Sequence, residues 1–251
     1  MCSPYVTRGL MELDGEASDL DTLRSVAPAC NCTIEPGPDA KLSWLGGAKF
    51  GAAPTPEQAL EEATKILVLL NGLARLENPQ HRNVGLGDAF FQNGRMHYFR
   101  PPRSRTRSVI YVYASPLTGG LVVPPVDPVA DGRRARLVAD PKLAEILEVF
   151  AEEVSWQRLR VAFEKIRALV GGGKSDNAFV KHGYATAPEL ERFKANVEDP
   201  RHSGTNAVHG IPRGPLKGTK MTEAQGFDFV VRLLNTYVDR HLRKTLRSEP
   251  R

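Results

Sequence analysis

Between Val122 and Pro128 the chain reads VVPPVDP, three prolines in seven residues. Proline lacks a backbone donor and fixes φ, so neither an uninterrupted helix nor a sheet-interior strand can pass through this stretch. The hydrophobic pattern differs on its two sides. Apolar residues before it recur partly at strand spacing, and after it they recur every three or four positions, as on a helix face. The sequence therefore predicts an α+β domain over residues 1–135 and an α-helical domain over 136–251.

In the first part, Tyr5 to Leu13 has strand character. Thr55, Pro56 and Gln58 form a helix start with an N-cap, a first-turn proline and a capping-box partner. Ala59, Leu60, Ala63, Ile66, Leu67 and Leu70 then mark one apolar face, with Asn71-Gly72 weakening the helix near its end. Ala89 to Gln92 and Arg95 to Phe99 flank Asn93-Gly94, a pair suited to a tight hairpin turn because both residues tolerate positive φ. Ser108 to Ala114, SVIYVYA, and Gly119 to Val123 are further strand candidates.

The second part is a series of capped amphipathic helices. Asp140-Pro141 precedes the stripe Leu143, Ile146, Leu147, Phe150 and Val154. Ser155 opens a helix carrying Trp156, Leu159, Phe163, Ile166 and Val170, stopped by Gly171-Gly172-Gly173. After a short helix, Thr186 and Glu189 make a second capping box with Pro188 in the first turn. Thr222 opens the last helix, with Ala224, Phe227, Val231, Leu234, Val238 and Leu242 at helical spacing. Four stripes need partners, so these helices are expected to form one bundle with Trp156 buried against the last helix.

Charge is unevenly spread. Residues 1–94 hold 7 Lys+Arg against 12 Asp+Glu, residues 95–136 hold 8 against 2, and residues 137–251 hold 19 against 15. The longest apolar run, Ile66 to Leu70, is far short of the roughly 20 residues that span a bilayer, so no membrane association is expected. The N-terminus lacks a basic stretch followed by an apolar core, and three cysteines cannot form a disulfide framework, which points to the cytoplasm. Cys30 and Cys32 could offer two soft metal ligands, but the spacing is tight and no second pair exists. Buried thiols are the simpler reading, and neither a metal nor a cofactor is expected.

Two stretches carry candidate chemistry. Arg103, Arg105 and Arg107 alternate on a segment with Tyr98, Phe99, Tyr111 and Tyr113 nearby. In an extended chain they would share a face able to track phosphates while the aromatics stack on bases, although a basic strand edge also blocks sheet aggregation. The second is the polar stretch Asn196 to Met221. His202 and His209 could act as general acid or base there, Arg201 and Arg213 could face a phosphoryl group, and Asn206 adds a polar candidate. A solvated or bracing histidine is the simpler alternative. GPLKGTK lacks the spacing of a phosphate-binding Walker loop, and serine-hydrolase, cysteine-protease and zinc-protease patterns are missing from the sequence.

The pieces WQRLRVAFEKIRALVGGG, ELERFKAN, NAVHG and MTEAQGFDFVVRLLNTYV resemble the C-terminal portion of a group of uncharacterised bacterial proteins, over residues 156–246. This module in turn resembles the HEPN superfamily, all-helical domains of bacterial antiphage and toxin systems, many of which cleave RNA with an arginine and a histidine a few residues apart. The resemblance implies a metal-independent ribonuclease of a defence type, with His209 in the place of the family histidine. Val208 precedes it where the relatives tend to have arginine, and seven residues separate Arg201 from His209. Two functions are thus expected: a nucleic-acid-associated module acting on RNA, or a non-catalytic sensing or interaction module that forms a homodimer through its helical domain.

Overall fold

A computed structural model describes residues 9–36, 42–92, 95–99, 128–171, 176–203 and 219–248. It has an α+β layout, an antiparallel sheet in the N-terminal part followed by helices. By contacts the chain divides into two compact units, residues 1–74 with 80–128, and residues 75–79 with 129–251. Among the described residues no helix is long and apolar enough to cross a membrane.

The first unit is built on β1 (Gly9–Asp14), β2 (Cys32–Pro36), β3 (Ser43–Gly47), β4 (Gly85–Gln92) and β5 (Arg95–Tyr98), in the order β2-β3-β1-β4-β5. All pairs are antiparallel. In the register Met11 faces Leu45 and Phe90, and Ile34 faces Leu45, so these four buried side chains lie across one face of the sheet. Helices α1 (Ala17–Val26), the short α2 (Ala48–Gly51) and α3 (Pro56–Glu77) add Leu23, Val26, Phe50, Ala63, Ile66 and Leu70 to the buried set. Phe50 needs Gly47, where a Cβ would stand 2.6 Å from its ring.

The hairpin of β4 and β5 forms as expected around Asn93-Gly94, which itself lies outside the described residues, as do Ser108 to Ala114 and Gly119 to Val123. Between Met11 and Leu13 the β1–β4 register shifts. At this irregularity the Glu12 carboxylate accepts the backbone N–H groups of Ala89 and Asp88. Burial pushes its carboxyl above the usual range in spite of them. Residues 5–8 of the first expected strand lie outside the described residues. The structure differs from the sequence reading in strands β2 and β3, which were not anticipated, and in α3, which runs on through Asn71-Gly72 to Glu77. Both residues are buried, and the Asn71 side chain makes its hydrogen bonds to Val84 rather than competing with its own helix.

The second unit comprises α4 (Pro128–Ala139), α5 (Pro141–Phe150), α6 (Trp156–Val170), α7 (Asn177–Lys181), α8 (Ala187–Glu198), the four-residue α9 (Pro200–Ser203) and α10 (Glu223–Ser248). The caps are those the sequence signals. Asp140 and Ser155 accept from Lys142 N and Arg158 N, and Thr186 with Glu189 forms a complete capping box. Gly171 ends α6 at φ 83°, in the left-handed region that favours glycine. The core is aromatic. Phe193 stacks within 5.2 Å of Phe163 and 5.0 Å of Phe229, Phe163 lies 5.2 Å from Phe179, and Phe150 meets Phe227 edge-on. Trp156 is 4% exposed and packs on α10 where Gly226 leaves room, since a Cβ there would come within 2.7 Å of the indole. The buried face of α10 is broader than anticipated: Phe229, Val230 and Leu233 join Phe227, Leu234 and Val238, while Ala224 is exposed. Val154 follows the end of α5 and is only half-buried.

Candidate functional site

The polar stretch after α8 begins and ends on the same helix. Leu190, Phe193 and Val197 turn the apolar face of α8 inward, and Asn196 shares it, wholly buried. A buried amide must spend its donors and acceptor on partners. Asn196 Nδ2 donates to the carbonyls of Arg192 (2.8 Å) and Thr219 (2.9 Å), and its Oδ1 accepts the Met221 N–H at 2.7 Å. One turn earlier, Arg192 Nη2 donates to the Lys220 carbonyl at 2.8 Å. Residues 219–221 are thus clasped to α8 by two side chains four positions apart. The chain then enters α10 through a reciprocal cap, Gln225 N to Thr222 Oγ1 at 3.2 Å and Thr222 N to Gln225 Oε1 at 3.1 Å.

At the other end, Asp199 closes α8 through its N–H to Ala195. Its carboxylate takes the Arg201 N–H at 2.9 Å and the Arg201 guanidinium through Nε (2.9 and 3.1 Å) and Nη2. The guanidinium, foremost among the causes, holds the Asp199 carboxyl down at about 2. Arg201, the expected charge stabiliser, is therefore engaged by a carboxylate two residues before it. His202 follows on α9, its N–H on the Asp199 carbonyl at 3.0 Å. Asn206, His209 and Arg213 lie outside the described residues, as do Arg103, Arg105 and Arg107.

From 200 to 222 the sequence holds four basic residues, Arg201, Arg213, Lys217 and Lys220, two histidines and no acidic residue. Most basic side chains described elsewhere in the unit are committed to carboxylates. Arg133 pairs in bidentate fashion with Asp239, Arg167 and Lys194 share Asp176, and Arg134 reaches Glu77. The clasp residues Arg192 and Asn196 were not among the candidates. A signal for Asn196 existed, because it stands three residues after the apolar Phe193, on the inward side of the helix.

Cys30, at the end of the 3-10 turn before β2, and Cys32, the first residue of β2, are both buried, and among the described residues no cluster of three or more His, Cys, Asp or Glu side chains could hold a metal ion. Burial pushes the thiols up to about 12 and about 11. Only the thiolate reacts, and at pH 8 a thiol of pKa 11 is ionised to about one part in a thousand. In a Cys2→Ser background, labelling by a disulfide reagent at pH 8 is expected to be slow in the native protein and immediate in denaturant. Fast native labelling of both thiols would contradict the burial.

Comparison of the chain with protein-family models, with curated proteins and with solved structures gave no match.

Proposed function

We propose that this protein binds nucleic acid through its phosphates, using the basic 200–222 segment, with the helical unit as its rigid base. The observation that carries the reading is the clasp centred on the buried Asn196. Asn196 and Arg192 fix the returning end of an acid-free segment to the helix from which it departs. Fixing the base of a cationic segment lowers the ordering cost of binding, and phosphate contacts need positive charge more than any single geometry. Arg201 is engaged by Asp199, so the reading assigns the phosphates to the other basic residues of the segment, Arg213, Lys217 and Lys220. Arg103, Arg105 and Arg107 would add a second phosphate-tracking stretch. In the HEPN-like extension of the reading the ligand is RNA and His209 is the proton-transfer group of a metal-independent cleavage.

The rival reading, a homodimer through the helical domain, calls for an open apolar face. Among the described residues of the helical unit, the large apolar side chains standing open are Val161 and Val180.

The test is fluorescence anisotropy with single-stranded RNA over a salt series. Wild type is expected to bind with a steep salt dependence. Arg213→Ala/Lys217→Ala/Lys220→Ala should bind weakly at every salt concentration and lower the log–log slope by about 2, because each single-strand phosphate contact contributes ~0.7. The Arg103→Ala/Arg105→Ala/Arg107→Ala variant reports the second stretch in the same way. Unchanged affinity in both variants would overturn the reading. For the catalytic extension, His209→Ala should abolish RNA cleavage with the thermal midpoint unmoved, and cleavage at the parent's rate would reject that histidine.

A further inference from the structure

A second polar node is buried in the first unit. Its centre is His81, whose side chain is 0% exposed. The orientation of the neighbouring Asn71 amide is fixed by one backbone residue, because Nδ2 donates to the Val84 carbonyl at 2.9 Å and Oδ1 accepts the Val84 N–H at 3.0 Å. Exchanging the two amide atoms would set donor against donor and acceptor against acceptor. The atom that meets His81 Nε2 at 3.0 Å is therefore an oxygen, and Nε2 must carry a proton. The other ring nitrogen, Nδ1, stands 3.3 Å from Asp19 Oδ1, an oxygen that also accepts the Arg82 N–H at 2.9 Å. This contact has the geometry of an ion pair rather than of an aligned hydrogen bond. A neutral ring protonated at Nε2 would turn its Nδ1 lone pair toward a buried carboxylate oxygen, which is repulsive. An imidazolium keeps the Nε2 hydrogen bond and turns the repulsion at Nδ1 into an attraction.

We propose that His81 is held as an imidazolium bridging Asp19 of α1 and Asn71 of α3, and that loss of its second proton loosens residues 81–84 from both helices. Among the described residues, Asp19 of α1 carries the charge at the node and α3 presents the neutral Asn71, while the Arg82 guanidinium of the segment itself pairs at the surface with Glu16, the residue before α1. The segment matters to the sheet, because Val84 leads directly into β4 and is itself buried. Protonation would strap β4 to the helices, and deprotonation would remove the strap. The sign follows from linkage. The folded state prefers the charged ring, so the contribution is complete below the unfolded midpoint of ~6.5 and is lost as pH rises through the higher folded midpoint.

The experiment uses the full chain with nitrogen-15 histidine and two-bond proton–nitrogen correlation spectra from pH 5 to 9. The His81 signal is the one missing from His81→Gln. Should that variant fail to fold, the connection to the Arg82 amide assigns it in the wild type. His81 is expected to show two protonated nitrogens at pH 7.5, where an unperturbed imidazole is only about one-tenth charged. Asp19→Asn should lower its midpoint. Hydrogen exchange at the Arg82 and Val84 amides should rise by about tenfold beyond the general base-catalysed increase once the ring deprotonates. An unprotonated ring nitrogen at pH 7 overturns the imidazolium, and amides equally protected on both sides of the His81 midpoint overturn the strap.

Discussion

Phe193→Ala is expected to destabilise the helical unit by about 3–5 kcal/mol, a large part of the 5–15 kcal/mol that holds a typical domain together. Phe193 projects from α8 into contact with Trp156 and Phe163 of α6 and Phe229 of α10, so its ring is where three helices meet. Truncation removes its transfer free energy and leaves a cavity walled by other rings, which are rigid and relax poorly into the space. Phe193→Leu keeps most of the volume and should cost less than half as much. Denaturant titration followed by far-ultraviolet dichroism would measure both, and a loss below ~1 kcal/mol for the alanine variant would mean that this cluster does not hold the unit.

The parts of the fold that the sequence revealed are those decided within a few residues. Asp140, Ser155 and the Thr186–Glu189 box cap their helices as read, because a cap is a contact between a side chain and an amide two or three positions away. The strands β2 and β3 escaped because their reasons are distant. CTIEP alternates over too few residues to stand out and ends on a proline, and SWLGG does not alternate: from Trp44 to Gly47 β3 is buried at every residue, so no period-two pattern marks it. Asn71-Gly72 was read as a weak point because an exposed Asn-Gly would be one. Val84, thirteen residues away, satisfies the amide and removes the weakness. The site was legible to the same depth. Histidines and arginines in one polar stretch drew attention to 196–221, but spacing from His209 could not show that Arg201 turns back onto Asp199. The amide that closes the segment belongs to a residue type with no acid–base chemistry, so nothing in the pattern of reactive side chains marks it.

That amide supplies the second large effect. Asn196→Ala is expected to cost roughly 1–3 kcal/mol, because it leaves the buried Met221 N–H without its partner, whereas the Thr219 carbonyl belongs to an exposed residue and can turn to water. The alanine variant alone would not separate the loss of hydrogen bonds from the loss of packing, so Asn196→Asp is the informative companion. Its carboxylate has the same shape and can still accept from Met221 N, but it would turn a charge in a fully buried position toward the Arg192 and Thr219 carbonyls. At pH 7 it should therefore be at least as destabilised as alanine. Once protonated, the aspartic acid regains a donor. The folded state would then favour the protonated form, and the variant's stability should be highest near pH 4, falling as pH rises from ~3.9 through the raised folded midpoint, opposite to the trend for carboxylates paired with cations. RNA affinity separates the two roles of the clasp. If it serves the binding segment, both variants should lose affinity several-fold under conditions where dichroism shows them still folded, since residues 219–221 would no longer be tethered to α8. If affinity is kept while stability falls, the clasp belongs to the fold alone, and phosphate binding must be sought at Arg103, Arg105 and Arg107.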